Sequence, residues 1–384
     1  MYYPIIIIYA AVIGASFLGR MSQSESVESK VIIGQSLQKE VSKKETFSLP
    51  FFALSFLILF LTIFLTKSGT DIASYVDFYN KWTWSDLGDF NIEPGNKILY
   101  LFIRFFISNP YVGLGVVKLI NLLLVYYSIY LLKDKINVGI AIFAYGCLLY
   151  AYSFHLLRMM TALGLVFLAG SFELCNKRWK SIICLALSVC FHYTAIVAII
   201  AYVFYLFLKL IRTNAWKLFI LVIISVAWAL FGDVIIIFLV KTIPVLSKYE
   251  GYIQQSAHQG SGMMQYLWFI PVVYLLFRTY PKDKNSFYEL ACVFGIMTFL
   301  IGELGYSFAV IGRAVYYFYY FFVFYLSYID KNKKMINPEK IIADLPFSLP
   351  QLMMLYLVVK VLFEVIVGNL AVSNGLTEYL FIWE

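Results

Sequence analysis

Apolar runs long enough to cross a lipid bilayer recur along the chain and constrain its fold more than any other feature. A bilayer core of about 30 Å needs about 20 apolar residues in a helix. Backbone groups in lipid must bond within one helix or within a closed barrel. In agreement, 62% of the residues are hydrophobic and 14% are charged, whereas soluble domains are about 25% charged. We therefore predict an all-α polytopic membrane protein with about 12 transmembrane segments, forming a single integral membrane domain over residues 1–384.

The basic residues predict which loops face the cytoplasm, because Lys and Arg are enriched in cytoplasmic loops. By this rule residues 20–49 form a cytoplasmic loop, residues 67–95 form an extracytoplasmic segment and residues 241–265 form an extracytoplasmic loop. Both ends of the chain are then expected outside. The net charge of +8 is explained by these loops, so we do not expect nucleic acid as a partner.

Two apolar segments differ from a simple crossing. Residues 96–108 are too short to span and end at Asn109-Pro110, which predicts a re-entrant or interfacial helix. Residues 181–210 are flanked by basic residues at both ends. They form either one tilted span or a short helical hairpin that turns at residues 191–194, and the flanking charges favour the hairpin. Its first arm rises about 15 Å, so His192 is expected in a recess below the outer surface.

Under this topology three nitrogen-bearing side chains face the outer half of the membrane. Arg158 and Arg313 each begin a helix there. A guanidinium at a helix N-terminus suits bidentate binding of phosphate, although interfacial anchoring or a salt bridge explains each arginine as well. His192 could accept a proton from a hydroxyl group. A core histidine bonded to a backbone carbonyl is the alternative.

Carboxylates occur at both ends of the extracytoplasmic segment. Asp71 with Tyr75, and Glu93 before Pro94-Gly95, suit hydrogen bonds to sugar hydroxyls. Turn formation and helix capping explain the same residues. Further candidates for substrate contact are Lys248, Tyr249 and Tyr252 of the extracytoplasmic loop 241–265. The alternative for these tyrosines is a place in an aromatic belt at the membrane surface.

Neither a metal nor a cofactor is expected. The three histidines lack the spacing of zinc ligands. The five cysteines lie in or beside apolar segments and form no C-x-x-C pair.

Five short motifs occur in sequence between residues 50 and 325. They are Gly-Thr-Asp-x-x-x-Tyr at 69–75, Glu-Pro-Gly at 93–95, Arg-x-x-x-Ala at 158–162, Phe-His-Tyr-Thr-Ala at 191–195, and Arg313 ahead of Tyr316 and Tyr317. Their order and sidedness resemble those of the EpsG family of Wzy-type polysaccharide polymerases.

The resemblance implies a GT-C-like fold and an inverting, metal-independent glycosyltransferase without a cofactor. Such an enzyme joins undecaprenyl-pyrophosphate-linked oligosaccharide repeat units into a surface polysaccharide such as O-antigen, capsule or exopolysaccharide. The expected location is the bacterial cytoplasmic (inner) membrane, with the active site facing the periplasm or exterior. Membrane lipids, a chain-length regulator and a flippase are candidate partners.

The resemblance also implies roles for the candidate residues. Arg158 and Arg313 would bind the pyrophosphate. His192 would act as the catalytic base, with Asp71 or Glu93 orienting it or serving as the base instead. The tyrosines expected to contact the substrate are Tyr75, Tyr193 and Tyr317.

Two other functions fit the same charges. An O-antigen-ligase-like enzyme or a single-addition lipid-linked glycosyltransferase would transfer sugar only once. A transporter or flippase of a lipid-linked sugar would bind through the arginines without breaking a bond. The absence of matching broken spans in two inverted halves weighs against the transporter.

Overall fold

The structure is a computed structural model. It describes residues 3–29, 41–88, 92–211, 214–242, 264–279, 285–307, 312–319, 321–332, 348–367, 370, 375–378 and 380–381. The first elements are α1 Tyr3–Met21, β1 Gln23–Ser29, β2 Val41–Phe47, α2 Leu49–Phe64, α3 Ile72–Lys81, α4 Pro94–Phe106, α5 Pro110–Leu131 and α6 Val138–Leu148. They are followed by α7 Leu157–Leu174, α8 Arg178–Phe191, α9 Ile196–Leu210, α10 Asn214–Thr242, α11 Met264–Arg278, α12 Ser286–Ser307, α13 Ser327–Lys331 and α14 Leu349–Ile366.

The described helices agree with an all-α membrane protein. Five are long and apolar enough to cross a bilayer: Pro4–Met21, Pro110–Leu131, Leu157–Leu174, Tyr193–Leu210 and Leu349–Ile366. Shorter apolar helices lie at Leu49–Phe64, Val138–Leu148, Leu267–Arg278 and Ser286–Gly302.

One antiparallel hairpin departs from the all-helical expectation. β1 pairs with β2 from Gln23 opposite Phe47 to Ser29 opposite Val41. Both strands belong to the polar segment that was predicted to be a plain cytoplasmic loop. Pairing lets the two segments satisfy their backbone groups on each other, and the polar pattern gave no sign of this because neither strand has an apolar face.

Asparagine and proline fix the boundary between α4 and α5. The Asn109 side chain accepts hydrogen bonds from the backbone N–H groups of Tyr111 and Val112, at 2.9 and 3.3 Å. Pro110 then occupies the first helical position, where its missing N–H costs nothing. The break predicted at Asn109-Pro110 is therefore confirmed.

Helix α4 has two different faces. Its 13 residues span about 20 Å, which is less than a bilayer core. Phe102 and Phe105 are 60% and 83% exposed, whereas Asn96 and Tyr100 are buried. A short helix with an exposed apolar face matches the predicted interfacial or re-entrant helix.

The hairpin prediction for residues 181–210 is confirmed. α8 ends at Phe191, His192 is extended, and a 3₁₀ turn at Tyr193–Ala195 leads into α9. At the other end, the Glu173 carboxylate lies 3.1 Å from Lys209 Nζ of α9 and 3.7 Å from Arg178 of α8. Because the start of α8 and the end of α9 meet one carboxylate, the chain returns to where it began, and one tilted span is excluded.

Segments predicted to be cytoplasmic gather at one end of the bundle. The Lys133 carbonyl accepts hydrogen bonds from Gln23 Nε2 at 2.6 Å and from Lys331 Nζ at 3.0 Å. Lys135 Nζ donates to the Leu174 carbonyl at 2.7 Å. These contacts join the predicted cytoplasmic loop of residues 20–49 to three other turns, at residues 133–135, 174–178 and 331, that also carry basic residues.

Segments predicted to be outside gather at the opposite end. Thr66 Oγ1 donates to the Leu380 carbonyl at 2.9 Å, and Ser68 Oγ donates to the Glu378 carbonyl at 2.6 Å. The final part of the chain therefore lies against the start of the predicted extracytoplasmic segment. Gly375, with φ +65°, contacts this segment closely, because a Cβ there would come within 2.6 Å of the Thr70 nitrogen.

Candidate active site

The side chains of two polar residues from distant parts of the chain meet at the Glu93 carboxylate. Glu93 is 5% exposed. Its Oε2 lies 2.9 Å from Nη1 of Arg158, and its Oε1 lies 2.9 Å from Nδ1 of His192. Glu93 precedes α4, Arg158 is the second residue of α7, and His192 follows α8. One carboxylate thus connects the interfacial helix, the start of a span and the hairpin turn.

The proline after Glu93 directs its carboxylate away from its own helix. A residue before proline is restricted to extended backbone, and Glu93 has φ −60° and ψ 128°. Its side chain makes no capping bond to α4. The carboxylate is therefore left to bond across to Arg158 and His192.

The next two residues hold α4 against the hairpin. A Cβ on Gly95 would lie 2.7 Å from the Cys190 carbonyl oxygen, so only glycine allows this approach. Asn96 Nδ2 donates to the Phe191 carbonyl. The Glu-Pro-Gly-Asn sequence therefore brings the carboxylate and His192 together by fixing the two backbones side by side.

The ionised state of Glu93 determines which nitrogen of His192 is the donor at their contact. Burial raises the pKa of the Glu93 carboxyl, but the hydrogen bond and charge of His192 and the charge of Arg158 outweigh it and lower the pKa to about 2. An ionised carboxylate can only accept hydrogen bonds. His192 Nδ1 must therefore donate to it, which leaves Nε2 of a neutral imidazole with a free lone pair.

Arg158 lies between the carboxylate and aromatic rings. Its guanidinium carbon is 5.9 Å from the ring centre of Tyr75 and 5.7 Å from that of Phe78. Such contacts hold a planar guanidinium in place. Burial raises the pKa of Tyr75, opposed by the nearby Arg158 charge. A quarter of the Arg158 side chain remains exposed.

Asp71 occupies the position before α3. Its backbone carbonyl accepts from the Tyr75 N–H at 3.1 Å, and its side chain makes no capping bond to the helix. Asp71 thus lies one turn from Tyr75, on the same element as the rings that flank Arg158.

Arg313 and Tyr317 lie on a turn that contacts the hairpin. Arg313 begins a 3₁₀ turn over Arg313–Phe318, not the α-helix that was expected, and a π-helical turn follows at Phe322–Leu326. Arg313 is exposed. Tyr317 is fully buried, and its hydroxyl lies 3.2 Å from Thr194 Oγ1 of the hairpin turn. Tyr193, beside Thr194, is half-buried.

His155 lies beside the site, and no sequence pattern predicted a role for it. It is 5% exposed and ends the turn before α7. Gly69, with φ +138°, packs against it, since a Cβ there would lie 3.0 Å from His155 Cβ. Burial and the charge of Arg313 lower the pKa of His155 to about 3. Its place three residues before Arg158 was the one available signal.

Three of the expected contact residues cannot be placed. Lys248, Tyr249 and Tyr252 lie outside the described residues. Among the described residues, no group of three or more His, Cys, Asp or Glu side chains is arranged to hold a metal ion.

Comparison with known proteins supports the resemblance. The family model described as the EpsG family matches residues 49–380. No curated protein matches the chain, and no solved structure does.

Proposed function

Because the chain belongs to the EpsG family, the family of Wzy-type polysaccharide polymerases, we propose that it joins undecaprenyl-pyrophosphate-linked oligosaccharides. The product would be a surface polysaccharide such as O-antigen, capsule or exopolysaccharide. A general role in polysaccharide polymerisation follows from the family. The proposal adds the donor substrate, the residues that act on it and the side of the membrane on which the reaction takes place.

The bridging of Arg158 and His192 by Glu93 carries this proposal. The Arg158 guanidinium, a cation suited to binding phosphate, and the His192 imidazole, a group suited to proton transfer, each lie 2.9 Å from a different oxygen of the Glu93 carboxylate. Such proximity is what a reaction needs when a hydroxyl loses its proton while a pyrophosphate leaves.

His192 is the base in this mechanism. The acceptor hydroxyl transfers its proton to Nε2 of His192 while its oxygen attacks the anomeric carbon of the donor sugar. The bond from that carbon to the pyrophosphate oxygen breaks, and undecaprenyl pyrophosphate departs with the electron pair. Attack opposite the leaving group inverts the anomeric centre. Glu93 orients the imidazole and stabilises its protonated form, because a carboxyl with a pKa near 2 is a weak base.

Arg158 and Arg313 stabilise the leaving group. Each hydrogen bond from a guanidinium to the pyrophosphate is worth about 1.5–3 kcal/mol. Arg158 already has one nitrogen on Glu93, so it offers its remaining donors. Tyr193 and Asp71 would contact the sugars. The buried Tyr75 would hold the Arg158 guanidinium against its ring, and the buried Tyr317 would position the hairpin turn through Thr194.

The wider setting belongs to the same proposal. The chain would form a GT-C-like bundle of about 12 segments in the bacterial inner membrane, with the site facing the periplasm or exterior. Lys248, Tyr249 and Tyr252 would complete the substrate contacts. A flippase would supply the lipid-linked repeat, a chain-length regulator would act on the product, and neither a metal nor a cofactor would take part.

The test is polymerisation by the purified protein in lipid nanodiscs with undecaprenyl-pyrophosphate-linked repeats. We expect a ladder of chain lengths. His192→Ala and Arg158→Ala should lower the rate by about 10²–10⁴. Arg178→Ala, at a 58% exposed arginine of the opposite end, should polymerise normally.

Other outcomes would contradict the proposal in distinct ways. A single added unit, or transfer to another acceptor, would indicate a ligase-like or single-addition enzyme. Passage of labelled lipid across vesicles without covalent change would indicate a transporter. Normal ladders from His192→Ala and Arg158→Ala would leave a polymerase with a different site.

A further inference from the structure

The outer end of α7 carries two buried side-chain nitrogens without a hydrogen-bond partner among the described residues. Leu156 occupies the capping position and its side chain cannot accept a hydrogen bond from the first turn. Within the part of the chain that the structure describes, Nδ1 of His155 and Nε of Arg158 are buried without a hydrogen-bond partner. These two nitrogens lie on either side of Leu156.

Buried polar atoms of this kind require a physical explanation. Each unpartnered group costs about 1–3 kcal/mol, and native proteins contain few of them. Two here are three residues apart at one helix end. A ligand that is present during function would satisfy both.

The chemistry of these groups identifies an acceptor with several oxygens. Nε of Arg158 can only donate a hydrogen bond. Arg158 and the α7 dipole both favour a negative charge at this place. An anion such as a phosphate group matches these requirements.

Neighbouring segments enclose the same point. The turn that begins at Arg313 contacts α7, which brings a second guanidinium to the His155 side. Gly69 covers His155 from the extracytoplasmic segment, where any side chain would collide with His155 Cβ or the Phe154 carbonyl. The imidazole is thus held in one position from two directions.

We propose that His155 binds a phosphate group of the lipid-linked substrate, donating a hydrogen bond from Nδ1 beside Nε of Arg158. The identity of the anion rests on the proposed function. Burial beside Arg313 keeps the pKa of His155 low, so the imidazole is neutral at pH 7 and adds a donor without adding charge. Arg158 would contact the anion through one edge while its other edge stays on Glu93.

The test measures binding of farnesyl pyrophosphate, with farnesol as the uncharged comparison, to the full chain in nanodiscs. His155→Phe should bind farnesyl pyrophosphate at least about tenfold more weakly, a loss of about 1.4 kcal/mol. His155→Asn keeps an amide donor and should retain most of the affinity. Binding of farnesol should not change.

The stability of the unliganded protein separates binding from structure. Since Nδ1 of His155 lacks a partner, His155→Phe should leave the melting temperature unchanged or raise it. Tyr205→Phe is the matched control, because the Tyr205 hydroxyl is also buried without a partner among the described residues. The centre of the Tyr205 ring lies 4.5 Å from Lys209 Nζ, at the other end of the bundle. The control should also keep its stability, with no effect on affinity.

A spectroscopic measurement covers the case in which His155→Phe does not fold. The chain has three histidines, so the ¹⁵N spectrum of labelled imidazoles is simple, and His155→Asn identifies the signal. Farnesyl pyrophosphate should shift the Nδ1 resonance of His155.

An unmoved resonance, or unchanged affinity in His155→Phe, would overturn the inference even if the protein polymerises. Binding that depends on His155 in a protein that makes no polymer would overturn the proposed function alone.

Discussion

Glu93 is the residue on which the candidate site depends, because it neutralises one neighbour and orients another. Removing the charge of one member of a buried cluster leaves the other charges uncompensated. The carboxylate is 7% exposed, whereas Arg158 and His192 keep 25% and 22% of their side chains exposed. Solvent therefore reaches the two nitrogen groups more easily than it reaches the group that holds them.

We predict that Glu93→Gln removes the carboxylate that orients the His192 imidazole while it keeps the shape of the side chain. Unfolding should be easier by about 3 kcal/mol, at the low end for a broken buried pair because Arg158 is partly solvated. Polymer formation should fall by at least about 10². Thermal unfolding and the ladder assay measure both quantities.

Asp77→Asn is the control for this variant. It makes the same chemical change in the exposed Asp77–Lys81 pair, at 2.7 Å, and should alter stability by less than about 1 kcal/mol. Equal losses in the two variants would show that Glu93 acts like an ordinary surface carboxylate.

The stability of the protein should fall with acid in two overlapping pH ranges that begin at different pH values. The pKa of His155 drops from 6.5 to about 3 on folding, so the unfolded state gains a proton first and stability declines as pH falls from 6.5 towards 3. The pKa of Glu93 drops from 4.5 to about 2. Its stabilisation is complete above 4.5 and is lost as pH falls towards 2.

Melting temperatures between pH 6.5 and 4.5 distinguish the two groups. The His155 contribution has a slope of at most about 1.4 kcal/mol per pH unit, and His155→Phe should remove it. Glu93→Gln should keep the part of the slope that His155→Phe removes, and it should change the slope below pH 4.5. A slope that persists in His155→Phe would assign the acid sensitivity to other groups.

Sequence alone could identify the residues of the site but not their partners. Arg158, His192 and Glu93 were recognisable because a charge near an apolar run is costly unless it has a use. Their pairing joins positions that are 65 and 99 residues apart, and no local pattern encodes such a distance. His155 was passed over because its burial and its unpartnered nitrogen arise only when Gly69 and the Arg313 turn pack around it.

At the scale of elements, charge predicted the hairpin of α8 and α9, but local propensity did not predict every turn. Basic residues at both ends of one apolar run are a strong topological signal. The β1–β2 pairing had no such signal, since polar residues dominate both strands and Val27, Val41 and Phe47 form no continuous apolar face. The 3₁₀ and π turns at Arg313–Phe318 and Phe322–Leu326 lie in an aromatic sequence that would fit a regular α-helix equally well. Tertiary packing therefore determines which conformation forms.

The contact between α4 and α8 sets the geometry of the site, and Gly95→Ala tests it. The added Cβ would meet a backbone carbonyl at 2.7 Å, which cannot move as a side-chain tip can. Separation of the helices should cost about 1–3 kcal/mol and pull Glu93 from His192. We expect a large loss of polymer with only a moderate loss of stability.

Gly14→Ala is the matched helical control, because nothing lies within 4 Å of its added Cβ. It should be neutral, or more stable by up to about 1 kcal/mol. If Gly95→Ala behaved in the same way, the close approach of α4 would not be needed for the site.

At the scale of the whole molecule, the two ends of the bundle carry different kinds of residues. The order of the residues along the chain does not by itself require this separation. Basic turns meet at one end, whereas Glu93, His192, Gly69 and the last described residues lie at the other. A site at one end can draw substrate from one leaflet only. The direction of the bundle in the membrane therefore determines from which leaflet the proposed lipid-linked substrate would reach the site.

Cysteine labelling tests this arrangement in a variant that lacks the five native cysteines. Single cysteines at the exposed positions Thr70 and Glu378 should react with an impermeant maleimide in intact cells. Cysteines at the exposed positions Asp134 and Lys177 should react only after permeabilisation. Opposite results for Thr70 and Glu378 would contradict the packing of the chain end on residues 66–70. A complete reversal would keep the fold but turn the site to the cytoplasm, and a polymerase acting on the outer face would then be excluded.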